Sequence, residues 1–136
     1  MKYWLAKTEP EEYGWDDLSS SSEAVWDGVR NYTARNNMQA MKVGDQVLIY
    51  HSGKNPEIVG VAEVTKEQYQ DPKDDTGKWC AIKLKALNPL KIPVSLSYIK
   101  GEPLFENSSL VKISRLSIHQ LSQEEYLHIL KKSQSL

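Results

Sequence analysis

Residues 25–32 read VWDGVRNY, which places a tryptophan, an arginine, an asparagine and a tyrosine within seven residues around a glycine. Trp26 and Tyr32 offer flat faces, Arg30 and Asn31 offer polar groups, and Gly28 permits a tight turn. A nucleobase taken out of its stack needs both kinds of partner: an aromatic to lie against and groups that match its edge. The same residues also fit a purely structural part, with Trp26 in the core, Tyr32 packing on a helix and Asn31 as its N-cap.

Other chemistries are less well supported. Ser52 beside His51 supplies a nucleophile type and a base type, but neighbours on a strand point to opposite faces. Lys7, Thr8 and Glu63 could make a hydrolytic trio, although no spacing demands it. Ser52-Gly53-Lys54 echoes the end of a phosphate-binding loop without its spacing or its following helix. The histidines, His51, His119 and His128, are scattered and Cys80 stands alone, so neither a metal site nor a disulfide is signalled. No dinucleotide fingerprint is present, and no cofactor is expected.

The elements that position these residues can be placed from periodicity. Residues 3–7 read as a strand, ended by the Thr8-Glu9-Pro10 segment. Ala34, Met38 and Met41 share one face of a helix over 31–41. A turn at Val43-Gly44-Asp45 leads into a strand over 46–51, a loop over 52–56 and a returning strand over 58–65, an antiparallel hairpin. After a polar loop around Asp71-Pro72 and Asp75-Thr76-Gly77, Ile82, Leu84 and Ala86 alternate with Lys83 and Lys85 in a strand over 79–87. A short helix over 95–100 and a strand over 117–121 follow. Ser122 and Glu125 then make a capping box, with Leu121 able to staple to Tyr126 at the head of a last helix. Many short strands with few helices imply an α+β domain around a barrel-like antiparallel sheet.

Composition bounds the rest. A chain of 136 residues, 40% hydrophobic and 26% charged, fits one globular domain, residues 1–136. No apolar stretch approaches a membrane span or a secretory signal, so the protein is expected in the cytoplasm, or in the nucleus of a eukaryote, with no membrane partner. A net charge of −1 argues against binding nucleic acid mainly by phosphate neutralisation. Residues 9–27 carry seven acids and no base, however, and residues 78–115 carry seven bases against two acids. These runs can be solvated faces, or one end of a dipolar molecule that approaches phosphates.

KYWLAKTEP over residues 2–10, WDDL over 15–18 and WDGVRNYTARN over 26–36 together resemble the EVE domain family. So do MKVGD over 41–45, YHS over 50–52, IVGVAEV over 58–64, PVSL over 93–96 and RLSI over 115–118. The resemblance runs the length of the chain in order. It implies a PUA-like fold, a small barrel-like antiparallel sheet flanked by short helices and a C-terminal helix. It further implies a module that reads a modified base, such as 5-methyl- or 5-hydroxymethylcytosine in DNA or a modified RNA base; the protein is expected to act as a monomer and to catalyse nothing. Carried over by position, the pocket is lined by Trp26, Arg30, Asn31, Tyr32, Tyr50, His51 and Ser52, with Thr8 and Glu9 nearby. Thr8 stands where serine is frequent, and Ala6 where a larger apolar residue is common.

Three outcomes therefore stand open: a base reader, an amidohydrolase on a modified nucleoside as in ASCH relatives of the fold, and a protein adaptor. The reader predicts that Trp26, Tyr32, Tyr50 and Arg30 converge on one concave site, with bases of the 78–115 segment and Arg30 or Arg35 at its mouth. Trp26 and Tyr50 on opposite sides of the domain would contradict that pocket.

Overall fold

The structure, a computed structural model, describes residues 1–135. The chain forms β1 (Tyr3–Thr8), α1 (Pro10–Tyr13), α2 (Trp15–Ser20), β2 (Ala24–Trp26), α3 (Tyr32–Ala40), β3 (Gln46–His51), β4 (Glu57–Gln70) and β5 (Cys80–Ser95). It continues through α4 (Leu96–Lys100), a 3-10 turn at Pro103–Phe105, α5 (Ser109–Lys112), β6 (Ile118–Leu121) and α6 (Gln123–Lys132). Among the described residues six strands form one sheet in the order β2-β5-β4-β3-β1-β6. The hairpin of β3 and β4 is antiparallel as expected, but β1 pairs with β3 in parallel, Leu5 opposite Leu48, so the sheet is mixed.

Strand alternation divides the core in two. Trp4, Ala6, Val47, Ile49, Ile82 and Leu84 pack on one face with Leu18 of α2 and Met38 of α3. Leu5, Leu48, Tyr50 and Val94 pack on the other with Ile99, Phe105, Tyr126 and Ile129. Helix α3 touches both β6, at one end of the sheet order, and β5, next to the other end. The Asn37 amide donates to the Ile118 carbonyl on β6 at 2.7 Å, and Arg35 donates to the Lys78 carbonyl just before β5 at 3.2 Å. Strands so far apart in order meet one helix because the sheet curls around it.

Several local expectations are met. Asn31 caps α3 by accepting from the Ala34 amide at 2.9 Å, and the Ser122–Glu125 capping box is present in both directions. Others need correction. Pro10 ends β1 but also opens α1, because proline suits the first helical position where no amide partner is required. β4 and β5 run to Gln70 and Ser95, well past the expected ends; Pro89 stands opposite Gly60, and a register shift between Ile58 and Gly60 takes in Pro93. Trp79 lies just before β5 and not in it. β5 also outruns β2, which pairs only with Ile82, Lys83 and Leu84.

Two contacts lock the layers. Asp45 is buried and accepts from the Trp4 indole at 3.0 Å and from the Lys2 and Lys42 amides at 3.1 and 3.0 Å, tying β1 to the turn before β3. Gly60 on β4 lies under Trp15, where an added methyl would stand 2.3 Å from the indole ring. Gly60→Ala must therefore displace Trp15, and we expect a loss of roughly 1–3 kcal/mol in urea unfolding at pH 7.

His119 on β6 is 3% exposed, and its Nε2 has no hydrogen-bond partner among the described residues. Burial holds its pKa down to about 4, with the nearby Lys7 charge adding to the effect and the Gln120 carbonyl opposing it. A lowered histidine pKa makes stability complete above the unfolded value near 6.5 and draws it down as pH falls toward 4. Unfolding free energy should drop by on the order of 2–3 kcal/mol between pH 7 and 4.5, and His119→Leu should remove most of that slope.

Candidate functional site

The ends of β1 and β2, the residue after β3 and the turn before β6 surround a concave site of about 510 Å³. Lys7, Thr8 and Glu9 come from the end of β1, Glu12 from α1, and Trp26, Asp27, Gly28, Val29 and Arg30 from the end of β2 and its loop. Ser52 and the Ser114, Arg115 and Ser117 turn complete it. A second hollow of about 460 Å³ shares Thr8, Glu12, Trp26, Asp27 and Gly28 and adds Tyr13, Val25 and Lys73, so a groove passes across Trp26. The lining carries three acids, Glu9, Glu12 and Asp27, against three bases, Lys7, Arg30 and Arg115.

The loop after β2 is fixed by Asp71. This fully buried carboxylate accepts from Arg30 at 2.9 Å and from the Gly28 amide at 2.8 Å through Oδ2, and from the Lys73 amide at 2.7 Å through Oδ1. Burial alone raises its pKa, but the Arg30 guanidinium and the two amides outweigh burial and hold it below the usual carboxylate range. Gly28 stands at φ +76°, a left-handed conformation that brings its amide onto Asp71. Trp26 is 7% exposed, with Tyr13 edge-on at 6.2 Å, so it forms a wall of the groove and not a free platform.

The other side is equally constrained. The Thr8 hydroxyl donates to the Tyr13 carbonyl at 2.7 Å, and the Thr8 carbonyl accepts from the Ser52 amide at 2.9 Å and its hydroxyl at 3.3 Å. Glu9 occupies the N-cap of α1 yet makes no side-chain cap bond, which leaves its carboxylate at the rim. The Lys7 ammonium donates to the Ser114 carbonyl at 2.9 Å, and burial lowers its pKa.

Of the nine residues expected at the pocket, Thr8, Glu9, Trp26, Arg30 and Ser52 come together. The other four do not line it. Asn31 spends its carboxamide oxygen on the α3 cap, and Tyr32 lies outside on α3 against Trp79. Tyr50 is 4% exposed and packs on the opposite sheet face from Trp26, so the four-way convergence with Trp26, Tyr32 and Arg30 is not what forms. His51 accepts from the Trp15 amide at 3.0 Å through Nε2 and borders a neighbouring hollow with Glu9, Glu11, Ser52 and Glu57. Burial lowers its pKa, so it serves the start of α2 as a neutral acceptor.

The hydrolytic trio is not assembled. Thr8 stands opposite His51 at one end of β3 while Glu63 pairs with Gln46 at the other end, about 17 Å away at strand rise. Of the basic segment, Arg115 reaches the lining, and Lys83 is held by Glu23 at 3.5 Å. Among the described residues no three His, Cys, Asp or Glu side chains are grouped to hold a metal ion. Arg115 belongs to the basic segment expected at the mouth, whereas Asp71 and Glu12 were missed by sequence reasoning. Asp71-Pro72 reads there as a loop signal, and only the unpaired need of Arg30 for a buried acceptor points to it.

The sequence model of the EVE domain matches residues 2–132. The solution structure of Rpa0253 from Rhodopseudomonas palustris is similar at a TM-score of 0.94 and 40% identity, over 100% of this chain and 95% of that one. The crystal structure of human THYN1 in complex with 5-methylcytosine-containing DNA is similar at 0.85 and 33%, over 98% of each chain. The YTH domain of the Zygosaccharomyces rouxii MRB1 protein, at 0.63 and 16% over 99% of this chain and 88% of that one, shares the fold.

The Asp71 cluster makes a prediction independent of ligand. Asp71→Asn keeps the size but removes the charge that Arg30 and the Gly28 amide require. Stability at pH 7 should fall by roughly 1.5–3 kcal/mol, the range for hydrogen bonds to charged groups. Amide exchange at Gly28 should accelerate more than at the Thr8–Tyr13 turn, and equal change at both would remove Asp71 as the organiser of the loop.

Proposed function

We propose, because the chain belongs to the EVE domain family, that the concavity beside Trp26 binds a modified base of a nucleic acid and performs no reaction on it. 5-Methylcytosine and 5-hydroxymethylcytosine in DNA are the first ligands to test, with modified RNA bases as the alternative. The observation that carries the reading is that one concavity gathers Thr8 and Glu9, the WDGVR segment and Ser52, in a fold whose human relative is seen with 5-methylcytosine-containing DNA. In this reading the domain works alone, as a monomer, in the cytoplasm or a eukaryotic nucleus.

Charge and area decide how the base is identified. A balanced lining of three acids and three bases offers little net pull on phosphate, so few counterions are released and the salt slope is shallow. One buried methyl adds only about 0.8 kcal/mol, roughly fourfold. Identity therefore rests on edge hydrogen bonds, and a carboxylate suits the exocyclic amine of cytosine as acceptor. Glu9 at the rim has no cap bond to break and is the carboxylate we assign to it.

Titration with 5-methyl-2′-deoxycytidine and the matching thymidine, adenosine and guanosine tests this directly. Wild type should prefer the cytidine, and Glu9→Gln should flatten the preference by about 1–3 kcal/mol while the fold stays intact. Incubation with 4-acetylcytidine should give no cytidine, since the Thr8 hydroxyl donates to the Tyr13 carbonyl and hydrogen-bonds to no side-chain base among the described residues. Product beyond one per protein molecule, lost in Thr8→Val, would replace the reader with an amidohydrolase.

A further inference from the structure

Tyr32 and Trp79 leave an aromatic surface that the base site does not use. Tyr32 is 55% exposed, and its ring lies 4.8 Å from that of Trp79 at 31°. The core face of α3 is carried by Ala34 and Met38, and Tyr32 instead packs at the surface against Trp79. Trp79 is held in place by Asp74, whose Oδ2 accepts its amide at 2.9 Å while Oδ1 accepts the Thr76 amide and hydroxyl.

Two guanidinium groups complete the surface. Arg35 lies 4.8 Å over the Tyr32 ring and has no carboxylate within ion-pair distance among the described residues; its donors go to the Lys78 carbonyl and Asn36. Its charge is thus unneutralised beside an exposed ring. Arg30 lies 5.6 Å over Trp79 and also lines the base site, so one side chain joins the two places.

We propose that Tyr32, Trp79 and Arg35 form a second nucleotide subsite, which takes the base and phosphate of the residue adjoining the one held in the concavity. This rests on the base-reading function above. Flat rings accept any base by stacking, and a flanking arginine adds cation–π attraction and a phosphate contact. The arrangement would favour a strand over a free nucleoside and tolerate sequence variation at the flanking position.

The test compares 5-methyl-2′-deoxycytidine with a short single-stranded DNA bearing one 5-methylcytosine, and with the same DNA made abasic on either side. Tyr32→Ala and Arg35→Ala should each weaken the intact strand roughly tenfold or more. Arg35→Ala should leave the nucleoside affinity unchanged and lower the salt slope for the strand by about 0.7, one phosphate contact. One abasic flank should weaken wild type to the same degree and leave Tyr32→Ala with no further loss. Tyr32→Phe, which keeps the ring, should retain wild-type affinity, and a loss there equal to Tyr32→Ala would overturn the stacking role. If strand affinity and salt slope are unchanged in both alanine variants while wild type binds nucleoside and strand, the subsite is wrong and the base reader stands. If wild type binds neither, both fall together.

Discussion

A carboxylate taken wholly out of water must be surrounded by donors, and Asp71 meets that need with the groups that shape the site. Its Oδ2 collects the Arg30 guanidinium and the Gly28 amide, so a single atom determines the path of the chain between Trp26 and Arg30. The Lys73 amide on Oδ1 ties that path to the far end of the β4–β5 hairpin. Arg30 is thereby positioned between the concavity and Trp79, which makes the loop and the two aromatic surfaces one mechanical unit.

The opposite wall is built on different physics. β1 and β3 run parallel, and the Ser52 amide continues their ladder to the Thr8 carbonyl. The Thr8 hydroxyl then fastens the first helical turn, while His51 on the adjacent strand receives the amide that begins α2. Polar side chains that resemble catalytic equipment in a linear reading are consumed by backbone groups here. Among the described residues, Glu9, Glu12 and Arg115 remain unspent at the rim.

Much of the frame could be read from the chain. Alternation at Ile82 and Leu84, the Asn31 cap and the Ser122–Glu125 box each depend on neighbours in sequence, and each is present as expected. The pieces that escaped have other causes. α1, α2 and β2 are four, six and three residues long, too short to show a period, and they lie in the acidic run. Pro89 and Pro93 disguise the second half of β5 as a loop. Five of the nine residues expected at the pocket lie around one concavity, and they come from segments characteristic of the family. Tyr50 is drawn instead into the second core cluster with Leu5, Leu48 and Ile58, a burial that depends on partners far along the chain.

The overhang of β5 beyond β2 has a consequence for how the protein survives at high concentration. An unpaired strand edge is a template on which another chain can add, the first step of aggregation. Along this edge Pro89 and Pro93 have no amide to offer, and Lys85 and Lys91 place charge in the way of a second strand. The Lys91 and Ile92 amides are already taken by the Ser135 hydroxyl and the Ser133 carbonyl after α6. The chain's last described turn thus acts as a guard rail on its longest strand, and trimming it would expose an adhesive border without touching the groove.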